Sequence, residues 1–162
     1  MIGSVINAQT INPDIYKKNI EILYDAAAKG FKDIKLEESG TSPSGNKKFK
    51  AAKKVSGASE VFIDVDAENS MTYYAHFEAS DIEGAKAKVE EMVAMAEEVT
   101  SDKGLVRKRG TNVSYEGYKK ITLEYDSDNI DLMGKYPSLS FGIIKGSQPP
   151  MIELIVNEPL WK

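Results

Sequence analysis

His76 is the only histidine in the chain, and histidine is the side chain best suited to general-base chemistry near neutral pH. The alternation of its strand puts His76 on the same face as Glu78, and Asp64 and Asp66 are further acids that could orient it. This keeps a small hydrolase open as a hypothesis, although no Gly-x-Ser-x-Gly motif accompanies the histidine. The simpler interpretation is a surface histidine on an open sheet face. Sites that need several histidines are excluded.

A second group of residues stands out by charge. The chain has a formal net charge of −4, yet between residues 47 and 54 lysines crowd around one aromatic ring. Such a cluster is usually a solvated face, but a partner with negative charge would relieve its self-repulsion. We therefore expect that an anionic ligand or an acidic protein surface could bind there, and the acidic chain makes no strong case for nucleic acid. The residues are Lys47, Lys48, Phe49, Lys50, Lys53 and Lys54.

Two aromatic residues are predicted on the polar side of neighbouring strands. Tyr73 and Phe77 lie on the apolar face of their strand, so Tyr74 should project from the opposite face. By the same alternation on the neighbouring strand, Phe62 should project from that opposite face too. Exposed aromatic rings on adjacent strands would form a platform for protein or ligand recognition. The alternative is that the segment 39–55 folds back and covers them.

Two other motifs fail at specific positions. Residues 40–48 suggest a phosphate-binding loop, but Asn46 stands where that motif needs lysine. Residues 126–131 are rich in oxygen-bearing side chains like the start of a calcium loop, but Pro137 stands where the closing glutamate would be. The chain has no cysteine, which excludes disulfides, thiolate nucleophiles and cysteine-based metal sites. We therefore predict no metal site and no cofactor.

The N-terminal residues leave two interpretations open. Residues 1–10 end in a stretch that resembles the last part of an export signal, with a small residue at its cleavage point. The same residues are compatible with a first β-strand that starts at Ile2. The first interpretation favours the periplasm or secretion over the cytoplasm. No apolar run approaches the roughly 20 residues that cross a bilayer, so we expect a soluble protein without a membrane span.

Helix signals are strong in two places. Asn12 precedes a proline and an acidic residue, and Gly30 follows the last apolar position of the pattern, which predicts a first helix over about 13–29. Ser80 and Glu83 form a capping box before a second apolar stripe that continues to Gly104. Between and after the helices the period falls to two. Strands are predicted over 31–37, 59–78 as a hairpin, 105–108, 118–125, 139–145 and 152–157.

These elements predict a single α+β domain over 1–162. The domain has a predominantly antiparallel sheet of about six to eight strands, with two helices packed on one face. The order of elements repeats between 13–79 and 80–158, which suggests a duplicated α-β-β-β unit, although no residue-level identity supports it. The segment 39–55 is interpreted as a polar insertion in the first half.

The leading functional hypothesis is a non-catalytic binding protein that is exported. It would hold a protein or an anionic ligand on the open sheet face and the lysine-rich segment. One alternative is the small hydrolase that would use His76 and nearby carboxylates. Another is an intracellular inhibitor or chaperone-like homodimer that pairs through an exposed sheet edge.

Overall fold

The computed structural model describes residues 9–115 and 118–161, and it leaves the side chains of 111–115 undescribed. Three α-helices lie in this part of the chain: α1 is Pro13–Ala28, α2 is Ile82–Thr100, and the short α3 is Ile130–Met133. The strands are β1 Lys35–Thr41, β2 Lys47–Ala51, β3 Glu60–Val65, β4 Met71–Glu78, β5 Leu105–Tyr115, β6 Tyr118–Tyr125, β7 Ser138–Ile144 and β8 Met151–Asn157.

All eight strands belong to one antiparallel sheet in the order β1-β2-β3-β4-β8-β7-β6-β5. Each half of the chain is a long helix followed by four sequential strands, with the short α3 between β6 and β7 in the second half, and the two halves meet where β4 pairs with β8. The predicted α+β class, with two long helices on a mostly antiparallel sheet, is confirmed. The repeating unit contains four strands rather than three, and duplication as its origin stays a prediction.

The two long helices begin where side chains cap their first turn. The Asn12 side chain accepts a hydrogen bond from the Ile15 amide at 3.1 Å, as its position before proline predicted. The predicted N-cap of α2, Ser80, was wrong by one residue. Asp81 is the N-cap, and its side chain accepts a hydrogen bond from the Gly84 amide at 2.6 Å. Asp81 has the extended backbone that a cap requires, and its carboxylate also favours the positive end of the helix.

The core lies between the helices and one face of the sheet. Alternate residues of the two central strands point into it, and Tyr73, Phe77 and Leu154 are fully buried there. The helices also contact each other, since the Tyr16 hydroxyl of α1 donates to the Met92 carbonyl of α2 at 3.1 Å. Because the helices cover this face, the other set of alternating side chains forms what we call the open face.

The segment 39–55 is not an insertion. It contains the end of β1, a tight loop over 42–46 and the whole of β2, and β5 with β6 takes the corresponding place in the second half. The strand was missed because β2 lies near the sheet edge, with Phe49 as its one large apolar residue and lysines on both of its faces. The period-two signal of sequence is weak in such a strand.

Both interpretations of the N-terminus concern residues 1–10. Residues 1–8 of this segment lie outside the described part of the chain. Export and the alternative first strand both stay predictions. Over the described residues, none of the helices combines the length and the apolar character needed to cross a membrane.

Candidate functional site

The open face carries a continuous row of side chains across its centre. The strand registers place Phe62 beside Tyr74, Tyr74 beside Ile155, Ile155 beside Ser140, and Ser140 beside Thr122. This row is aromatic in the first half of the sheet, whereas in the second half one aliphatic residue, Ile155, is followed by the small polar residues Ser140 and Thr122. The face is therefore chemically asymmetric, although each half contributes four sequential strands to the sheet.

His76 lies in the next row of the open face, between two glutamates. Its Nε2 atom is 2.9 Å from Glu153, and its Nδ1 atom is 3.7 Å from Glu60. The sequence suggested other acids, Glu78, Asp64 and Asp66, as the groups that orient His76. The strand register instead pairs His76 directly with Glu60 on β3 and with Glu153 on β8. The imidazole is only 11% exposed, so it is a packed part of the face and not the surface histidine of the simpler interpretation.

Aromatic stacking organises the floor of the site. The Phe62 and Tyr74 rings are stacked with their centroids 5.0 Å apart, and the His76 ring meets the edge of Phe62 at 5.7 Å. The ammonium group of Lys48 lies 4.7 Å from the Phe62 centroid. Phe62 is only 3% exposed, whereas Tyr74 is half-buried. Of the two aromatic residues predicted for this face, Tyr74 is therefore the one that is partly exposed to solvent.

Asp64 anchors the β1–β2 loop to the same face. Its carboxylate is buried and accepts hydrogen bonds from Ser42 at 2.5 Å, from Ser44 at 2.6 Å and from Asn46 at 2.9 Å. Burial alone would raise the pKa of Asp64, but these three hydrogen bonds outweigh it and hold the pKa below its ordinary value. The polar loop that resembled a phosphate-binding loop thus serves as a cradle for an internal carboxylate.

The six residues of the predicted lysine cluster do not share one surface. Lys48 and Lys50 lie on the open face, where each pairs with a glutamate, Glu60 at 2.6 Å and Glu37 at 2.8 Å. Phe49 points to the opposite side and is partly buried against the core. Lys47 has the same orientation as Phe49, because it pairs in register with Val65 on the helix side. Lys53 and Lys54 follow the end of β2. Pairing with acids leaves the open face without the strong positive potential that the sequence suggested.

A cavity of about 330 Å³ opens on this face beside the aromatic stack. Burial raises the pKa of the Tyr74 hydroxyl, and the negative charges of Asp64 and Glu153 raise it further. The cavity is lined by Pro43, Ser44, Phe62, Asp64, Tyr74 and Glu153. It therefore combines an aromatic wall with two carboxylates.

The ion pair between Lys48 and Glu60 leads to a prediction about charge in this site. The hydrogen bond from Lys48 is the main reason that the pKa of Glu60 lies below its ordinary value. Lys48→Met keeps an aliphatic contact with Phe62 but removes the ammonium group, so we expect the pKa of Glu60 to rise towards its usual range. Carbon-detected NMR titration of the glutamate carboxyl groups measures this. Lys50→Met is the matched control, because Lys50 pairs with Glu37 and should leave Glu60 unchanged. An unshifted Glu60 in Lys48→Met would contradict the described pairing.

Sequence reasoning missed Glu153 and the three residues of the Asp64 cradle. Glu60 could have been found, because a hairpin that turns at 67–70 places it opposite His76. Glu153 carries no such signal, since the pairing of β4 with β8 joins residues 77 positions apart. In the described ranges no three or more side chains of histidine, aspartate or glutamate come together as a metal site would require.

Comparison with known proteins supplies no relative from which a role could be transferred. No protein-family model matches the chain, and neither curated protein sequences nor solved structures give a match. The function must therefore be inferred from the chemistry of the open face itself.

Proposed function

We propose that this is a non-catalytic binding protein that holds its ligand on the open face of the sheet. The observation that carries the proposal is the cavity beside Tyr74, which brings together an aromatic wall, polar groups and a rigid floor. Ligand sites combine apolar contact surface with a small number of placed polar groups. Phe62 and Asp64 are both held by several partners, so the site is formed before a ligand arrives.

The hydrolase hypothesis has less support from the same geometry. Both ring nitrogens of His76 face carboxylates, at 2.9 Å and 3.7 Å, so neither is directed at a hydroxyl nucleophile. Ser59 donates to the His76 backbone carbonyl, and not to the imidazole ring. A general base needs a nitrogen within reach of the proton that it removes. The structure favours a role for His76 in positioning Glu153.

Pairing through a sheet edge also has less support. The exposed edge strand β1 contains two register shifts, between Lys35 and Glu38 and between Glu38 and Gly40. Irregularities of this kind interrupt the hydrogen-bonding edge that a second sheet would need. A homodimer through the β1 edge is therefore not the proposal that we favour.

A paired substitution tests whether ligands use the open face. Ile155→Arg places a long, charged side chain at the centre of that face, whereas Ile22→Arg does the same on the exposed side of α1. A fragment library with amines, carboxylates and neutral aromatics is screened against the unmodified protein by saturation-transfer NMR. We expect the hits to be lost in Ile155→Arg and kept in Ile22→Arg, with both variants folded by circular dichroism. Hits that survive in Ile155→Arg, or a screen without hits, would contradict the proposal.

A further inference from the structure

Negative charge dominates the cavity on the open face. Among the six residues that line it, Asp64 and Glu153 are carboxylates and none is a cation. The nearby ammonium group of Lys48 is 2.6 Å from Glu60, so its charge is already compensated. His76 contacts Glu153 through Nε2, and the Glu153 side chain is still 26% exposed. The cavity therefore presents a carboxylate with room for a second partner.

The aromatic wall of the same cavity suits a flat cation. Tyr74 is half-buried and stacks on Phe62, which fixes the plane of its ring. The charges of both carboxylates reach the Tyr74 hydroxyl, where they raise its pKa in addition to the effect of burial. A guanidinium group stacks on aromatic faces and binds carboxylates through two parallel hydrogen bonds. An ammonium group lacks that planar geometry.

We propose that this cavity receives an arginine side chain of a partner protein, with its guanidinium group between Glu153 and the Tyr74 ring. The inference rests on the proposed binding function and replaces the anionic ligand expected from the sequence. The volume of about 330 Å³ is near the lower limit for sites that enclose a small molecule. A single side chain delivered from a protein surface matches this volume and the open position on the sheet. Charge complementarity between the two carboxylates and the guanidinium group selects arginine.

Two probes of nearly the same shape, one positively charged and one neutral, test this inference. N-acetyl-arginine amide carries the guanidinium group, and N-acetyl-citrulline amide replaces it with a neutral urea of nearly the same shape. Each is titrated into the millimolar range against the labelled protein, and amide shifts are recorded by NMR. We expect saturable shifts at Phe62, Tyr74 and Glu153 with the arginine probe, and an affinity for citrulline at least about 5-fold weaker. Added salt should weaken arginine binding.

Two substitutions distinguish arginine binding in the cavity from a general attraction to the negative charge of the open face. Glu153→Gln removes the proposed partner but keeps an acceptor for His76, and we expect about 5-fold to 10-fold weaker arginine binding. Glu124→Gln is the matched control, because Glu124 lies on the open face near the other edge and pairs with Lys108 at 3.1 Å. Arginine binding that is equal in both variants, or equal to citrulline binding, would overturn the inference.

The outcome also separates this inference from the proposed function. If fragments bind the open face in the Ile155-dependent manner while the arginine probe does not, the inference fails and the proposed function stands. If neither the fragments nor the arginine probe shifts residues of the open face, both fail. Shifts confined to residues outside the open face count against both.

Discussion

Replacing Phe62 by alanine is expected to lower the free energy of unfolding by about 3–5 kcal/mol, the largest single effect on the open face. Phe62 is 3% exposed and contacts Tyr74, His76 and Lys48 through its ring. Truncation removes the buried ring and also the aromatic pair, which adds about 0.5–1.5 kcal/mol beyond buried area. Urea denaturation followed by circular dichroism measures the change.

Phe62→Leu is the matched control for this substitution. Leucine keeps most of the buried volume, so we expect a clearly smaller loss, in the range of about 1–1.5 kcal/mol. The comparison of the two variants shows whether the Phe62 ring is packed inside the protein or lies at its surface. A loss under about 1 kcal/mol in Phe62→Ala would mean that Phe62 is not packed as described.

Replacing Asp64 by alanine is expected to lower the free energy of unfolding by about 2–4 kcal/mol, because hydrogen bonds to a charged group contribute about 1.5–3 kcal/mol. Three donors, on Ser42, Ser44 and Asn46, converge on this one carboxylate and would lose their acceptor. For a chain of this length the melting temperature should fall on the order of 10 °C. Asp33→Ala is the control, since Asp33 is exposed and pairs with the equally exposed Lys29 at 3.8 Å. We expect that control to change stability by less than about 0.5 kcal/mol.

The effect of Asp64 should depend on pH in one direction. The pKa of Asp64 is lower in the folded protein than in the unfolded chain, so its contribution is fully present above about pH 4. As the pH falls below that value, the unfolded chain takes up the proton first and the contribution is lost. The difference in unfolding free energy between the unmodified protein and Asp64→Ala should therefore shrink below pH 4. A difference that stays constant down to pH 3 would contradict the cradle as described.

The sequence contained enough information for the fold class and for the orientation of most side chains. Alternation identified Tyr73 and Phe77 as core residues and placed His76 on the opposite face, because burial of one sheet face leaves a clear period of two. Helix ends could also be predicted, as Asn12 shows, since capping depends on residues close in sequence.

What could not be predicted depends on pairing between distant strands. Glu153 reaches His76 only because β8 lies beside β4, and nothing local to either residue specifies that neighbour. The lysine segment shows the same dependence on distant strands. Its Lys48 and Lys50 pair with Glu60 and Glu37 on other strands, and the run of lysines in the sequence does not reveal this compensation.

Intermolecular nuclear Overhauser effects test most directly whether the open face is the functional surface. The strongest fragment from the screen, or the arginine probe, is added to the isotope-labelled protein, and contacts are recorded between ligand protons and assigned side chains. We predict contacts to the ring of Tyr74 and to the methyl groups of Ile155. Contacts confined to the exposed side chains of α1, such as Ile15 and Ile22, would contradict it.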